Sequence, residues 1–153
     1  MAQACVAPEK IDKTMSKTMV CFVCAGNTCR SPMAAAVYND LHQGEPTFAI
    51  SRGVAAHQGC PIHPLAVAAL EAAGIQSTPE NNYRAHLSHM LTDDDVESAE
   101  VIYCLTPEIG MAVLCDFPFA IRKIRSMGYI ADPWGGDLTT YQNTLHEIIG
   151  VLS

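Results

Sequence analysis

Cys24-Ala25-Gly26-Asn27-Thr28-Cys29-Arg30-Ser31 places a thiol and a guanidinium six positions apart in one short segment. An apolar run, Met19-Val20-Cys21-Phe22-Val23, leads into it, and Pro32-Met33-Ala34-Ala35-Ala36-Val37 leads out. The order reads as a strand, a tight loop and the start of a helix. A loop that curls ahead of a helix offers several backbone N–H groups to one anion, and the helix N-terminus adds a favourable dipole. Gly26 and Asn27 tolerate the left-handed angles such a curl requires. Pro32 fits the first helical turn, where a missing N–H costs nothing. Arg30 brings a planar fork able to hold two anion oxygens. The same field stabilises a thiolate. Cys24 is therefore read as a nucleophile facing a bound phosphorus atom, with Ser31 placed to stabilise the thiolate as it leaves phosphorus.

Other chemistries fit the segment less well. Cys21-x2-Cys24 could be half of a zinc site, but no second Cys-x2-Cys or His-x3-His follows it. Cys21 also lies within an apolar run and reads as a core residue. A redox Cys-x2-Cys normally opens its helix, whereas here the second cysteine begins the loop. A nucleotide-binding Gly-rich loop would carry Gly-Lys-Ser/Thr, which is absent.

The loop must be carried by strands and helices. Strands are expected at 19–24, 47–51, 100–105 and 121–127, and helices at 32–43, 64–74, 93–98, 107–115 and 137–150. Glu100 to Leu105 is an apolar run of buried-strand type. Ala66 to Ala73 is alanine-rich and ends at Gly74, a helix stop. Asp137 is the expected cap of the last helix. Asp93-Asp94-Asp95 reads as an acidic first turn and not as a metal site. Residues 76–84 read as a loop. Strands alternating with helices imply an α/β fold, a parallel sheet wrapped on both faces. Such sheets place their sites beyond the strand C-termini, which is where Cys24 stands.

The 153 residues suffice for one domain with a proper core. Residues 1–18 read as a loose N-terminal extension without the apolar stretch of a signal peptide, and 19–153 as a single domain. A net charge of −7 argues against nonspecific nucleic-acid binding and against an anionic membrane surface. It leaves a phosphate substrate open, because the local field of the loop outweighs distant, screened charge. The seven cysteines, at 5, 21, 24, 29, 60, 104 and 115, form no disulfide framework and point to a reducing cytoplasm.

Cys24 to Ser31 followed by Pro32-Met33-Ala34 resembles the low-molecular-weight protein tyrosine phosphatase family, whose loop reads Cys-x5-Arg-Ser near the N-terminus. The likeness covers most of the chain after residue 18. Ser51-Arg52-Gly53, Gly59-x-Pro61, Ala66 to Gly74-Ile75, His86-x-Ser88-x-x-Leu91-Thr92 and Asp132-Pro133-Trp134 look like successive family segments, in order. The resemblance implies a three-layer fold whose four-stranded parallel sheet has the flavodoxin-like order 2-1-3-4. It implies hydrolysis of a phosphorylated protein through a phosphocysteine on Cys24. Arg30 and the loop N–H groups hold the phosphoryl oxygens, and Asp132 serves as general acid and then base. Ala25, Gly26, Asn27, Thr28, Cys29 and Ser31 complete the phosphate loop, and Ser51 and His86 brace it. No metal or cofactor is called for, because the loop supplies the positive charge. Inorganic phosphate is the expected product and competitive ligand, with neither nucleic acid nor membrane as partner.

Several residues carry two readings. Asp132 beside Pro133 and Gly135-Gly136 reads by itself as a turn residue. His86 alone reads as an ordinary surface histidine. Cys29 matches a family cysteine that can form a reversible disulfide with the nucleophile, and it also reads as a small packing residue. Trp134, the one tryptophan, either flanks the mouth as a specificity element or anchors the core.

At three places the chain resembles a bacterial branch that removes phosphate from arginine. That branch carries threonine where Thr28 stands, Met-Thr where Leu105-Thr106 stands, and Asp-Pro-Phe-Gly where Asp132-Pro133-Trp134-Gly135 stands. Ile109 departs from it, since the branch tends to carry histidine there. A hydroxyl at the pocket floor suits a guanidinium leaving group better than an apolar ring, so Thr28 is the expected specificity residue. Phosphotyrosine and phosphoarginine both remain open as substrates. The rivals are a thiol-dependent arsenate reductase and a binding module without catalysis. The first needs two further cysteines near 76–92, and none is there. The second would lack Cys24, Arg30 or Asp132, and all three are present.

Overall fold

The computed structural model describes residues 17–153. The expected N-terminal extension therefore lies outside the described residues, apart from Lys17 and Thr18. Four strands form one sheet: β1 (Thr18–Cys24), β2 (Thr47–Gly53), β3 (Val101–Cys104) and β4 (Ile124–Ser126). The helices are α1 (Arg30–Leu41), α2 (Pro64–Ala72), α3 (Asp93–Ser98), α4 (Pro107–Asp116) and α5 (Leu138–Leu152). The sheet order is β2-β1-β3-β4, with every pairing parallel. This is the expected α/β architecture.

β1 is central, and its side chains alternate between two cores. Val20 and Phe22 face a core built with Met33 of α1, Leu70 of α2 and Tyr141, Leu145 and Ile148 of α5. Cys21 and Val23 face the other, built with Val96 of α3, Ile102 and Cys104 of β3, and Ile109 and Val113 of α4. Cys21 is fully buried, as read from the sequence. Its burial pushes its thiol pKa far up, so it is inert.

The expected elements are all present, with shifted ends. The strand expected at 121–127 shrinks to three residues, because a short 3-10 turn at Pro118–Ala120 hands on to a bond from Lys123 N–H to the Ala120 carbonyl at 2.8 Å. A second 3-10 turn, Tyr83–Ala85, closes the loop expected at 76–84. Gly74, at φ 81°, ends α2. Asp137 caps α5 by accepting the Thr140 N–H at 3.0 Å. Thr92 and Asp95 form a reciprocal capping box on α3. Asp95 also accepts from Arg52 Nε at 2.9 Å, so this part of the acidic cluster is tied to β2. Among the described residues no helix is long and apolar enough to cross a membrane.

Candidate active site

β1 ends at Cys24 and α1 begins at Arg30, so the loop between them is fixed at both ends by buried elements. α1 starts two residues before Pro32. The first helical bond runs from Met33 N–H to the Cys29 carbonyl at 3.1 Å. Proline at 32 leaves the Thr28 carbonyl without its helical donor, and that carbonyl instead accepts the His63 N–H at 2.9 Å.

Asn27 organises the curl. It is fully buried and adopts φ 59°, the one left-handed residue other than glycine among those described. Its Nδ2 donates to Ser31 Oγ at 2.8 Å and to Ser51 Oγ at 3.0 Å. Its Oδ1 accepts the His89 N–H at 2.9 Å. Its carbonyl accepts from His86 Nε2 at 2.7 Å. That bond fixes a hydrogen on Nε2. Burial, the largest influence, lowers the His86 pKa, so the ring is neutral near pH 7. The expected braces Ser51 and His86 thus meet on one residue.

Cys24 Sγ lies 3.0 Å from Ser31 Oγ and accepts the Asn27 N–H at 3.3 Å. Ser31 Oγ also lies 3.3 Å from the Arg52 carbonyl. Its single hydrogen can turn from that carbonyl to the sulfur when the thiol ionises. Arg30 is buried, and Nη1 donates to the Ile130 carbonyl at 3.0 Å. Its Nη2 stands 3.8 Å from Asp132 Oδ2.

Asp132 is a turn residue that also faces the cavity. Oδ1 accepts the Trp134 N–H at 3.1 Å, as a turn residue does, while Oδ2 faces the arginine. Trp134 is 71% exposed, which rules out the core-anchor reading and puts it at the mouth. Cys24, Gly26, Asn27, Thr28, Cys29, Arg30, Asp132 and Trp134 line one cavity of about 190 Å³. Ala25, on the same loop, instead turns its carbonyl to the Ala55 N–H at 3.0 Å.

Leu105 and Thr106 do not line that cavity. Leu105 is fully buried, and Thr106 Oγ1 caps α4 by accepting the Ile109 N–H at 3.2 Å. Ile109 is buried with α4 in the second core. These positions shape the packing under the site and not its wall.

Several contributors were given no role from the sequence, among them Ile130, whose carbonyl accepts from Arg30 Nη1. Gly53 passes close beneath the loop, and His89 reaches Asn27 through its main chain. Tyr141 of α5 sits fully buried with its hydroxyl 3.3 Å from Cys29 Sγ. His63 stacks on the Tyr141 ring, with centroids 5.0 Å apart. Of these, only Gly53 had a local signal, a glycine at a strand end.

A profile of the family described as "Low molecular weight phosphotyrosine protein phosphatase" matches residues 19–151. A protein-arginine-phosphatase of Bacillus subtilis is 31% identical over 139 residues, spanning 84% of this chain and 88% of its own. A probable low molecular weight protein-tyrosine-phosphatase, EpsP, of Ralstonia nicotianae is 31% identical over 140 residues, 88% of this chain and 90% of its own. Among solved structures, a mutant of the YwlE arginine phosphatase with a phosphorylated active-site serine superposes with a TM-score of 0.80 at 29% identity. That match covers 88% of this chain and 91% of the other.

Proposed function

The chain belongs to the low molecular weight phosphotyrosine protein phosphatase family and is a protein phosphatase, and from that premise we propose that it works through a phosphocysteine on Cys24, taking phosphoarginine in preference to phosphotyrosine. The Cys24 thiolate attacks phosphorus, the bond to the leaving nitrogen or oxygen breaks, and Asp132 protonates the departing group. Water then attacks the phosphocysteine and gives its proton to Asp132. The S–P bond breaks, the thiolate re-forms against Ser31, and inorganic phosphate leaves. Arg30 and the loop N–H groups carry the phosphoryl charge in both steps. In support, a serine in a related arginine phosphatase site accepts phosphate.

The observation that carries the substrate choice is Thr28, whose side chain shares the cavity with Cys24 and Asp132. Its hydroxyl can accept from a guanidinium N–H, a partner that a phenol ring lacks. Exposed Trp134 favours the second reading, since an indole at the mouth can stack on a phenyl ring. We assign the fold from 19 to 153 to a single catalytic domain. A reducing cytoplasmic setting suits its thiols, since Cys21, Cys24, Cys29, Cys60, Cys104 and Cys115 are all free.

Kinetics on phosphoarginine and phosphotyrosine peptides, side by side, test the proposal. Cys24→Ser is expected to abolish turnover of both, and undiminished activity would overturn the nucleophile. Thr28→Ile is expected to shift the preference toward tyrosine, and an unchanged ratio would overturn the arginine assignment.

A further inference from the structure

We propose that Tyr141, from the C-terminal helix, is a positioning residue that acts through Cys29 on the Thr28 hydroxyl and so sets the choice between arginine and tyrosine substrates. The inference rests on the reading that Thr28 lies beside the leaving group.

Three hydrogen-bonding groups stand in a row. Tyr141 OH is 3.3 Å from Cys29 Sγ, and Cys29 Sγ is 3.7 Å from Thr28 Oγ1. Each group has one hydrogen, so the row can be ordered in either direction. Burial decides which. Tyr141 is fully buried, and within the described residues Cys29 Sγ is its hydroxyl's one hydrogen-bond partner. If the row ran from Thr28 toward Tyr141, the phenolic hydrogen would be left buried and unpaired, a costly arrangement. The phenol therefore donates to sulfur, and Thr28 Oγ1, the one other hydrogen-bond partner of buried Cys29 Sγ among the described residues, is the acceptor left for the S–H. Cys29 can fill this role because burial raises its pKa and keeps it a neutral thiol.

The consequence falls on Thr28. With one lone pair taken by the S–H, its hydrogen is free to point at a phosphoryl oxygen and its remaining lone pair at a guanidinium N–H. A β-branched side chain has few rotamers, so fixing the oxygen fixes the side chain. The main chain is held at the same place. The Thr28 carbonyl accepts the His63 N–H at 2.9 Å, and the His63 ring stacks on Tyr141. A phenyl leaving group presents no donor to the oriented lone pair and gains less from it.

The test is the ratio of kcat/KM for phosphoarginine over phosphotyrosine peptides. It is measured in the full chain for Tyr141→Phe, Cys29→Ala, their double variant and Thr28→Val. Tyr141→Phe keeps the ring and its stack on His63 and removes only the hydroxyl. It is expected to lower the ratio about fivefold, the worth of one hydrogen bond. Cys29→Ala is expected to do the same. The double variant is expected to match the single ones, because both break one row. A general loss of stability would slow both substrates alike and leave the ratio unmoved. If Thr28→Val moves the ratio while Tyr141→Phe does not, the row is overturned and the role of Thr28 stands. If Thr28→Val leaves the ratio unchanged, the reading of Thr28 falls and the row with it. Independent, multiplying effects of Tyr141→Phe and Cys29→Ala would also overturn the row.

Discussion

Gly53 and the Ala25 carbonyl lie so close that a Cβ at position 53 would stand 2.5 Å from the oxygen. The same atom would meet Ala56 Cβ at 2.9 Å and Asn27 Cβ at 3.1 Å. The end of β2 therefore runs beneath the loop from Cys24 to Arg30 at a distance that only glycine allows.

Gly53→Ala should accordingly be far worse than an ordinary surface change. The loop is pinned at Asn27 and cannot retreat, so overpacking of about 1–3 kcal/mol is expected. Thermal unfolding should show a lowered midpoint. Phosphatase kcat/KM should fall as well, because the displaced atoms belong to the proposed phosphate cradle. A variant with wild-type stability and activity would mean that β2 shifts freely, contrary to this packing.

Asn27 separates backbone from side chain. Asn27→Gly keeps the left-handed angle and removes every side-chain bond. It should cost roughly 10–100-fold in kcat/KM, since Ser31 and Ser51 lose the carboxamide that aligns them. Asn27→Ala loses the same bonds and adds the left-handed penalty, about 1–2 kcal/mol. Chemical denaturation should therefore rank alanine below glycine, while their activities stay closer together. The reverse ranking would show that the φ of 59° is not a constraint.

Asp132 is expected to matter in proportion to the leaving group. Asp132→Asn should slow hydrolysis by roughly 10²–10⁴ on substrates whose leaving group must be protonated. It should do far less on activated aryl phosphates, which depart as stable anions. Steady-state rates across a series of aryl phosphates check this. A uniform loss across the series would assign Asp132 to holding Arg30, from which it stands 3.8 Å, and not to proton transfer.

Much of the candidate site was legible because its proposed reactive part is contiguous. Cys24 to Ser31 holds the proposed nucleophile, the loop N–H groups and the arginine within one strand-to-helix turn, and local chemistry suffices to propose them. The acid role proposed for Asp132 needed the family pattern, since alone it looks like a turn residue, and its Oδ1 makes a turn bond. What stayed hidden is tertiary. Tyr141 lies 112 residues from Cys29 in the chain, and nothing in α5 marks it apart from other core positions. His89 and Ile130 contribute main-chain groups, which every residue has, so no side-chain type could announce them. Leu105-Thr106 show the opposite limit. They are markers by resemblance, yet the fold gives them packing and capping.

His86 supplies a pH dependence whose sign can be worked out. Burial lowers its pKa in the folded protein below the ordinary value of 6.5. The unfolded chain thus binds a proton at a pH where the folded protein does not. Stability rises with pH wherever the unfolded state holds more protons. The His86 contribution is therefore present above about pH 6.5 and is lost as pH falls through the lower folded value. Once both states are protonated, no further loss follows. His86→Gln can still donate an N–H to the Asn27 carbonyl but does not titrate. Denaturation midpoints measured from pH 8 to pH 5 should fall less steeply for His86→Gln than for the wild type. Parallel curves would show that the ring takes up its proton without disturbing the loop it braces.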